Sequence, residues 1–565
     1  MDDGVPRGVL AQEILMKYLA ERRKAEMRGL FRWSSACVLG LVLANLSFGS
    51  LPSGSPGPTV RLEVGVLEGM QFGSAKNEVV FLGVPYAAPP VGDLRWKPPQ
   101  PVSHWNGTRK ATEFGATCPQ LPAGWLPNLA WNEDCLYLNV WTTQLSVSAK
   151  LPVIVYFHGG SNTAGYSQLT PLGPELSRLG VVVVSANYRL GPLGFFAHPA
   201  LTSESEHHSS GNYGLLDQLQ ALKWVRENIS RFGGDPRRIT VMGQSAGAVD
   251  ICLFMASPLA AGLFQRAIME SGDCQGVFNE DIRTPIRYNE ISGTGEGAGE
   301  RLANDLGVAD GRDTLLKLRS IPADEILKAW SKDRKIHFDA IVDGWVVPEQ
   351  PAKIFAEGKQ VLVPVLVGSN ANEATVFGHN DLKTVDQYKN YLLEDTGKYS
   401  DQEFQAYPAT SDADVPRQSL QLENDSFAYG AYSMARNMTR AGQKAFLYCF
   451  TYVETGKRAP LGAYHGQELK FLSGEFPSDW EHSQDDEKLG ELMRAYWTQF
   501  AKTGTPNAPG AIHWAAFDAK LDQCFELGRR VGVRPVAPQA RVLEHIMNQI
   551  FAETMNAQPK PKSEN

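Results

Sequence analysis

Ser245 sits in the run Gly243-Gln244-Ser245-Ala246-Gly247, directly after the β-branched stretch Ile239-Thr240-Val241. A serine between two glycines at a strand-to-helix turn has the form of a nucleophile elbow, with the hydroxyl at the apex of a tight turn. The glycines are there for steric reasons, because a Cβ at either flank would strike the neighbouring strand or helix. At the start of a helix, backbone N–H groups also favour an anion forming beside the hydroxyl. The chemistry this points to is nucleophilic attack, and a hydroxyl needs a base for that, while the base needs an orienting acid.

An elbow of this kind expects both partners downstream, acid first and histidine second. Residues 361–374 read VLVPVLVGSNANEA, an apolar strand followed by a loop that carries Glu373. Residues 445–452 read AFLYCFTY, a second apolar strand, and the loop beyond it carries His465 within GAYHGQEL. Asp343 and Asp250 are the other acids to consider if Glu373 is not the partner. Upstream, LPVIVYFHGGSNTAG (151–165) leads a further apolar strand into His158-Gly159-Gly160-Ser161. Glycine there lets backbone N–H groups approach a substrate carbonyl oxygen, so Gly159, Gly160 and Ser161, with the N–H of Ala246, form the expected oxyanion hole.

Reactive residues on loops beyond strand ends are the mark of an open α/β sheet. At 565 residues, with 43% hydrophobic content, 12 Trp and 25 Phe, the chain can bury a large core. A net charge of −8 disfavours a nucleic-acid partner. There is no Walker loop, dinucleotide fingerprint or zinc-type Cys/His spacing, and no internal repeat. No metal or organic cofactor is expected.

The N-terminus reads as a separate segment. Residues 33–60 carry no charge, Arg28 and Arg32 precede the apolar run ACVLGLVLANL, and Ser47 and Gly49 supply small residues at a cleavage site. This is the pattern of a signal peptide, with cleavage near Gly49/Ser50, and it is short for a membrane span. Residues 1–49 are therefore expected to be an extension and leader, with Met27 a possible true start. A secreted or periplasmic enzyme follows, with anchoring by an uncleaved leader as the alternative and no stable membrane partner after cleavage. LPSGSPGP (51–58) reads as a linker, 55–555 as the catalytic domain and 556–565 as a disordered tail.

Longer stretches carry a resemblance: FLGVPYAAPPVGDLRW (81–96), EDCLYLNVW (133–141), NYRLGPLGFF (187–196), residues 211–248, and then VDGWVVP, VGSNANEA and GAYHGQEL. Over roughly residues 62–550 the chain resembles the type-B carboxylesterases, the family of carboxylesterases and cholinesterases with the α/β-hydrolase fold. The resemblance implies a large, mostly parallel central sheet flanked by helices, with helical insertions around the active site. It implies Ser245, Glu373 and His465 as the triad of an acyl-enzyme mechanism, Gly160, Ser161 and Ala246 as oxyanion donors, and a small-molecule carboxylic ester as substrate. It also implies the scaffold ion pairs Arg95–Glu133 and Arg189–Asp217, and a disulfide between Cys118 and Cys135.

The chain departs from the family at several positions. Ser161 replaces a third glycine, and Asn162 replaces a common aromatic, which would make that pocket wall polar. Gln244, a further candidate pocket residue, replaces a frequent glutamate and so removes a negative charge near His465, and Asp250 stands where a small serine is usual. Of the other cysteines, Cys37 lies in the leader. Cys252, Cys274, Cys449 and Cys524 have apolar neighbours and read as buried thiols, with a Cys449–Cys524 bridge open. The run Trp125-Leu126-Pro127-Asn128 resembles a cholinesterase cation site, so Trp125 is a candidate wall of the alcohol-side pocket. The pocket is expected between residues 119–131 and the insertion 279–336. The competing readings are a cholinesterase-like or detoxifying esterase acting on bulky or cationic leaving groups, and a non-catalytic adhesion or binding protein of the same fold.

Overall fold

A computed structural model describes residues 57–557, apart from 128, 276–282, 284–292, 334–335 and 378–381. All of these residues fall in one of the two units into which the chain divides, Gly49–Asn565. The expected leader, its cleavage site and most of the linker lie outside the described residues.

In chain order the strands are β1 (Thr59–Leu62), β2 (Gly65–Glu68), β3 (Met70–Gln71), β4 (Val79–Pro85), β5 (Thr108–Lys110), β6 (Tyr137–Thr142) and β7 (Leu151–Phe157). They continue with β8 (Val182–Ala186), β9 (Gly234–Gln244), β10 (Arg266–Glu270), β11 (Val365–Asn370), β12 (Ala445–Phe450), β13 (Gln523–Leu527) and β14 (Val531–Pro535). β1, β2 and β5 form a small separate sheet, and the other strands form one 11-stranded sheet in the order β14-β13-β12-β11-β10-β9-β7-β8-β6-β4-β3. Its centre, from β8 through β13, is parallel, and both flanks are antiparallel.

The central strands are parallel and buried because their sequences are apolar on both faces. Along β7, Val153, Val155 and Phe157 enter one hydrophobic core, while Ile154 and Tyr156 enter the other. The first core is closed by helices Tyr213–Asn228, Ala246–Ala256 and Val415–Arg440, the second by Leu172–Arg178, Glu468–Ser473 and Gln484–Thr503. This is the expected sheet between two helical layers. The last helix, Pro538–Ala557, runs two residues into the segment expected as a tail, and the rest of that segment lies outside the described residues.

Both implied ion pairs are present and bidentate. Arg95 Nε and Nη2 lie 2.7 and 2.6 Å from the Glu133 carboxylate, and Arg189 Nε and Nη2 each lie 2.7 Å from Asp217. Arg95 also donates to the carbonyl of Ile321 at 2.6 Å, which ties the 279–336 insertion to the body.

Cys118 and Cys135 are joined, with a Cα–Cα distance of 5.0 Å. A bridge closing a loop of this size contributes about 3 kcal/mol in the chain-entropy model. The reading of Cys252 and Cys274 as thiols is corrected by a disulfide between them, and the Cys449–Cys524 bridge that the sequence left open is also formed. The first staples helix Ala246–Ala256 to the segment after β10, and the second joins neighbouring strands β12 and β13. Apolar neighbours surround a half-cystine as readily as a thiol, so local sequence could not separate the two.

Candidate active site

The four expected pieces meet at the carboxyl ends of β7, β9, β11 and β12. Ser245 follows β9 and caps helix Ala246–Ala256 with φ 56° and ψ −128°, the positive-φ apex of the elbow. The steric role of the flanking glycines is visible: a Cβ on Gly243 would collide with the backbone of Gly247, and one on Gly247 with the Phe157 carbonyl of β7. The Ser245 N–H donates to the Glu270 carbonyl of β10 at 2.8 Å, fixing the turn to the sheet.

Glu373 follows β11 and is completely buried. Its Oε1 accepts from the Asn370 N–H at 2.6 Å, and its Oε2 lies 2.6 Å from His465 Nδ1. The two loops are laced together, because Asn372 N–H donates to the Ala463 carbonyl at 2.9 Å while Ala463 N–H donates to Asn372 Oδ1 at 3.0 Å. Burial alone would lower the His465 pKa, but the Glu373 carboxylate outweighs it and holds the value above that of an ordinary histidine. Asp343 and Asp250, the alternative acids, are engaged elsewhere. Asp343 accepts from Ser209 Oγ and from the N–H groups of Trp345 and Val347, and Asp250 from Gln218 and Asn162.

His465 Nε2 lies 2.9 Å from the side-chain nitrogen of Gln244, the residue before the serine. With the Nδ1 proton directed at Glu373, Nε2 carries the lone pair and the Gln244 amide donates to it. Gln244, expected as a pocket residue that removes a charge near His465, therefore touches the His465 ring directly. A Gln244→Glu variant should place a carboxylate there, raise the His465 pKa further and move the acid limb of the pH–kcat/KM profile up by at least about one unit. An unmoved limb would mean that the contact is not made in the working enzyme.

In the loop after β7, His158 Nδ1 donates to the Gly159 carbonyl at 2.8 Å, and its ring stacks on Tyr188 at 4.5 Å. Burial pushes the His158 pKa down to about 4, so the ring is neutral at pH 7. Gly160 has φ 117°, where a Cβ would collide with the Ala164 carbonyl, and Ser161 and Asn162 both have φ 53°. Among the described residues no acceptor takes the N–H groups of Gly160, Ser161 or Ala246, as an oxyanion hole requires.

Two expected pocket residues stand elsewhere. Asn162 is no pocket wall: it is 1% exposed, and its amide points under the loop to Asp250 (3.0 Å) and Asp339 (2.8 Å). Burial, with the charge of Asp339 adding, pushes the Asp250 carboxyl up to about 7 against the Gln218 and Asn162 amides. Trp125 is 60% exposed. The cavity of about 310 Å³ in its loop is lined instead by residues including Leu121, Leu126, Trp131 and Tyr166. The loop turns Leu126 inward and leaves the neighbouring indole in solvent.

The sequence reading missed an aromatic lip. Phe377, 56% exposed, lies 4.8 Å from the His465 ring, and half-buried Phe427 lies 5.4 Å from it; the two phenyl rings stack at 6.0 Å. Phe377 follows Glu373 by one short turn, but Phe427 comes from the long helix Val415–Arg440, which nothing local links to the site.

A sequence profile described as the carboxylesterase family matches residues 56–542. The chain belongs to the carboxylesterase family. It is 38% identical over 472 residues to a fumonisin B1 esterase of Sphingopyxis macrogoltabida, covering 80% of this chain and 84% of the relative. It is 34% identical over 491 residues to a para-nitrobenzyl esterase of Bacillus subtilis strain 168, covering 82% of this chain and 94% of that one. A solved PNB esterase structure superposes with a TM-score of 0.74 at 30% identity, covering 86% of this chain and 99% of that one. This carboxylesterase thus has the α/β-hydrolase fold and is an enzyme of carboxylic ester hydrolysis.

Proposed function

We propose that this carboxylesterase works through an acyl-enzyme on Ser245, with His465 as general base and Glu373 as its orienting acid. The observation that carries the reading is the 2.6 Å Glu373–His465 Nδ1 contact on loops laced together beside the elbow. As Ser245 Oγ bonds to the ester carbon, His465 Nε2 takes its proton, and Glu373 holds the Nδ1–H tautomer and balances the imidazolium. The N–H groups of Gly160, Ser161 and Ala246 bind the oxyanion, with Gly159 leaving room for the loop. Collapse of the tetrahedral intermediate breaks the C–O bond, and the departing alcohol takes the proton from His465. Water then attacks the acyl-enzyme, giving its proton to His465, and the second collapse returns that proton to Ser245 and releases the acid.

For Ser245 Oγ to reach Nε2, the Gln244 amide has to give way, and catalytic hydrogen bonds of this kind commonly tighten only with substrate bound. The aromatic lip favours apolar or aryl groups on one side of the ester. Phe377→Ala and Phe427→Ala should each lower kcat/KM for aryl or long-chain esters about 5–30-fold relative to an acetate, the range expected for losing one or two kcal/mol of apolar contact. An equal fall for both ester classes would remove the lip from substrate recognition.

Three disulfides favour an oxidising compartment, and with them secretion. Among the described residues no helix is long and apolar enough to cross a membrane. The test of the reading is labelling by a fluorophosphonate. The adduct should map to the Ser245 peptide by mass spectrometry, and an adduct on another serine would overturn it.

A further inference from the structure

Beneath the oxyanion loop lies a polar cluster that the steps above do not use. Asn162 Nδ2 donates to Asp250 Oδ1 at 3.0 Å and to Asp339 Oδ1 at 2.8 Å, so each amide hydrogen has its own carboxylate. Asp250 Oδ2 accepts from Gln218 Nε2 at 2.6 Å, and Asp339 Oδ1 also takes the Ala340 N–H at 2.7 Å. Asn162, Asp250 and Gln218 are buried, while Asp339 closes the cluster from its exposed edge. The three buried residues come from three different places: the loop after β7, the helix that Ser245 caps, and helix Tyr213–Asn228. Among the described residues, Asn162 is thus the one side chain in the loop that bonds it to the helix that Ser245 caps.

The backbone explains why an anchor is needed. Ser161 and Asn162 are consecutive non-glycine residues at φ 53°. That region is sparsely populated for residues with a Cβ and persists where surrounding contacts impose it. Asparagine tolerates it better than most residues, serine less so. The φ values at these two positions help set the direction of the N–H groups that the loop presents. The carbonyl of Asn162 adds a second tether by accepting from Gly191 N–H at 2.7 Å.

We propose that Asn162 is a positioning residue for ester hydrolysis. By dividing its amide between Asp250 and Asp339, it holds the Ser161–Asn162 backbone in the left-handed conformation that keeps the Gly160 and Ser161 N–H groups aimed at the developing oxyanion. The proposal rests on the oxyanion assignment made above. A misaligned oxyanion hole weakens binding of the transition state more than of the ground state, so the effect belongs in kcat.

The experiment compares Asn162→Ala, Asn162→Gly and Asp250→Asn in the full chain with a p-nitrophenyl ester, reading kcat, KM and melting temperature. Losing one oxyanion donor outright costs about 10²–10³ in kcat, so a misaimed loop in Asn162→Ala should cost about tenfold or more with KM within about twofold. Asn162→Gly also lacks the amide but adopts positive φ without steric cost, and should keep at least about five times the kcat of the alanine variant. Assayed about a unit or more above pH 7, where the Asp250 carboxyl is ionised, Asp250→Asn keeps the shape but offers one carbonyl oxygen where the carboxylate accepts two amides; its kcat should fall at least about fivefold, again with KM held. This isosteric variant carries the test if Asn162→Ala does not fold.

A kcat within twofold of wild type in Asn162→Ala, or equal losses in the alanine and glycine variants, would overturn the proposal. So would a fall in melting temperature with kcat unmoved, which is what a purely structural contact would give. Fluorophosphonate labelling separates the two levels of inference. If Ser245 is labelled but the variants behave alike, the clamp alone fails; if wild type is not labelled at Ser245, the catalytic reading fails with it.

Discussion

Ser245→Ala is expected to abolish ester turnover while leaving the fold and melting temperature in place. The side chain is only partly buried, and among the described residues its hydroxyl makes no hydrogen bond, so removing it costs the scaffold little. The chemical loss is far larger. Nucleophile, base and oxyanion donors act as a unit, and deleting the nucleophile of such a set costs about 10⁶ in kcat. Initial rates with a p-nitrophenyl ester, beside a thermal melt, give both quantities. Turnover in the alanine variant within tenfold of wild type would remove Ser245 from the mechanism.

Glu373→Gln is expected to lower kcat by about 10²–10⁴, toward the upper end of that range. The reason lies in the second hydrogen bond of the carboxylate. The Asn370 N–H donates to Oε1 at 2.6 Å, so a glutamine here must put its carbonyl oxygen at that position. Its amide nitrogen then occupies the Oε2 site facing His465 Nδ1, where it can only donate. The imidazole responds by carrying its proton on Nε2, the nitrogen that has to accept the serine proton. The variant thus loses the balancing charge and installs the wrong tautomer together. A loss under threefold in kcat, measured with a p-nitrophenyl ester, would show that the orienting acid is another residue.

The two variants draw on different kinds of information. The case for Ser245 is almost wholly local. Residues 239–247 specify a strand, a turn that tolerates no Cβ at its flanks, and a helix start, all within a few residues of one another. Glu373 and His465 are found because the elbow pattern calls for an acid and then a histidine downstream, and each stands in the loop after an apolar run, VLVPVLVG and AFLYCF. Gly160 is picked out as a glycine after an apolar strand upstream of the elbow; that a Cβ there would strike the Ala164 carbonyl is seen only in the structure.

Contacts that join distant segments were decided by the tertiary structure alone. Gln244 and His465 are 221 residues apart, Asn162 and Asp339 are 177 apart, and Phe377 meets Phe427 only because helix Val415–Arg440 passes the mouth of the site. Cys449 and Cys524 pair because β12 and β13 are neighbours in the sheet, a fact about strand order that their own surroundings do not encode. Trp125 and Asn162 show the same limit from the other side: a motif can place a residue in a loop, but which way its side chain turns depends on what the rest of the fold offers it. Solvent took the indole, and two carboxylates took the amide. What could be read along the chain was the elbow around Ser245 and the loops after apolar runs that carry Glu373 and His465, because backbone sterics and apolar patterning act over short distances. Which polar side chain meets His465, what the Asn162 amide bonds to and which cysteines join depend on partners brought together by packing, and these came from the folded chain.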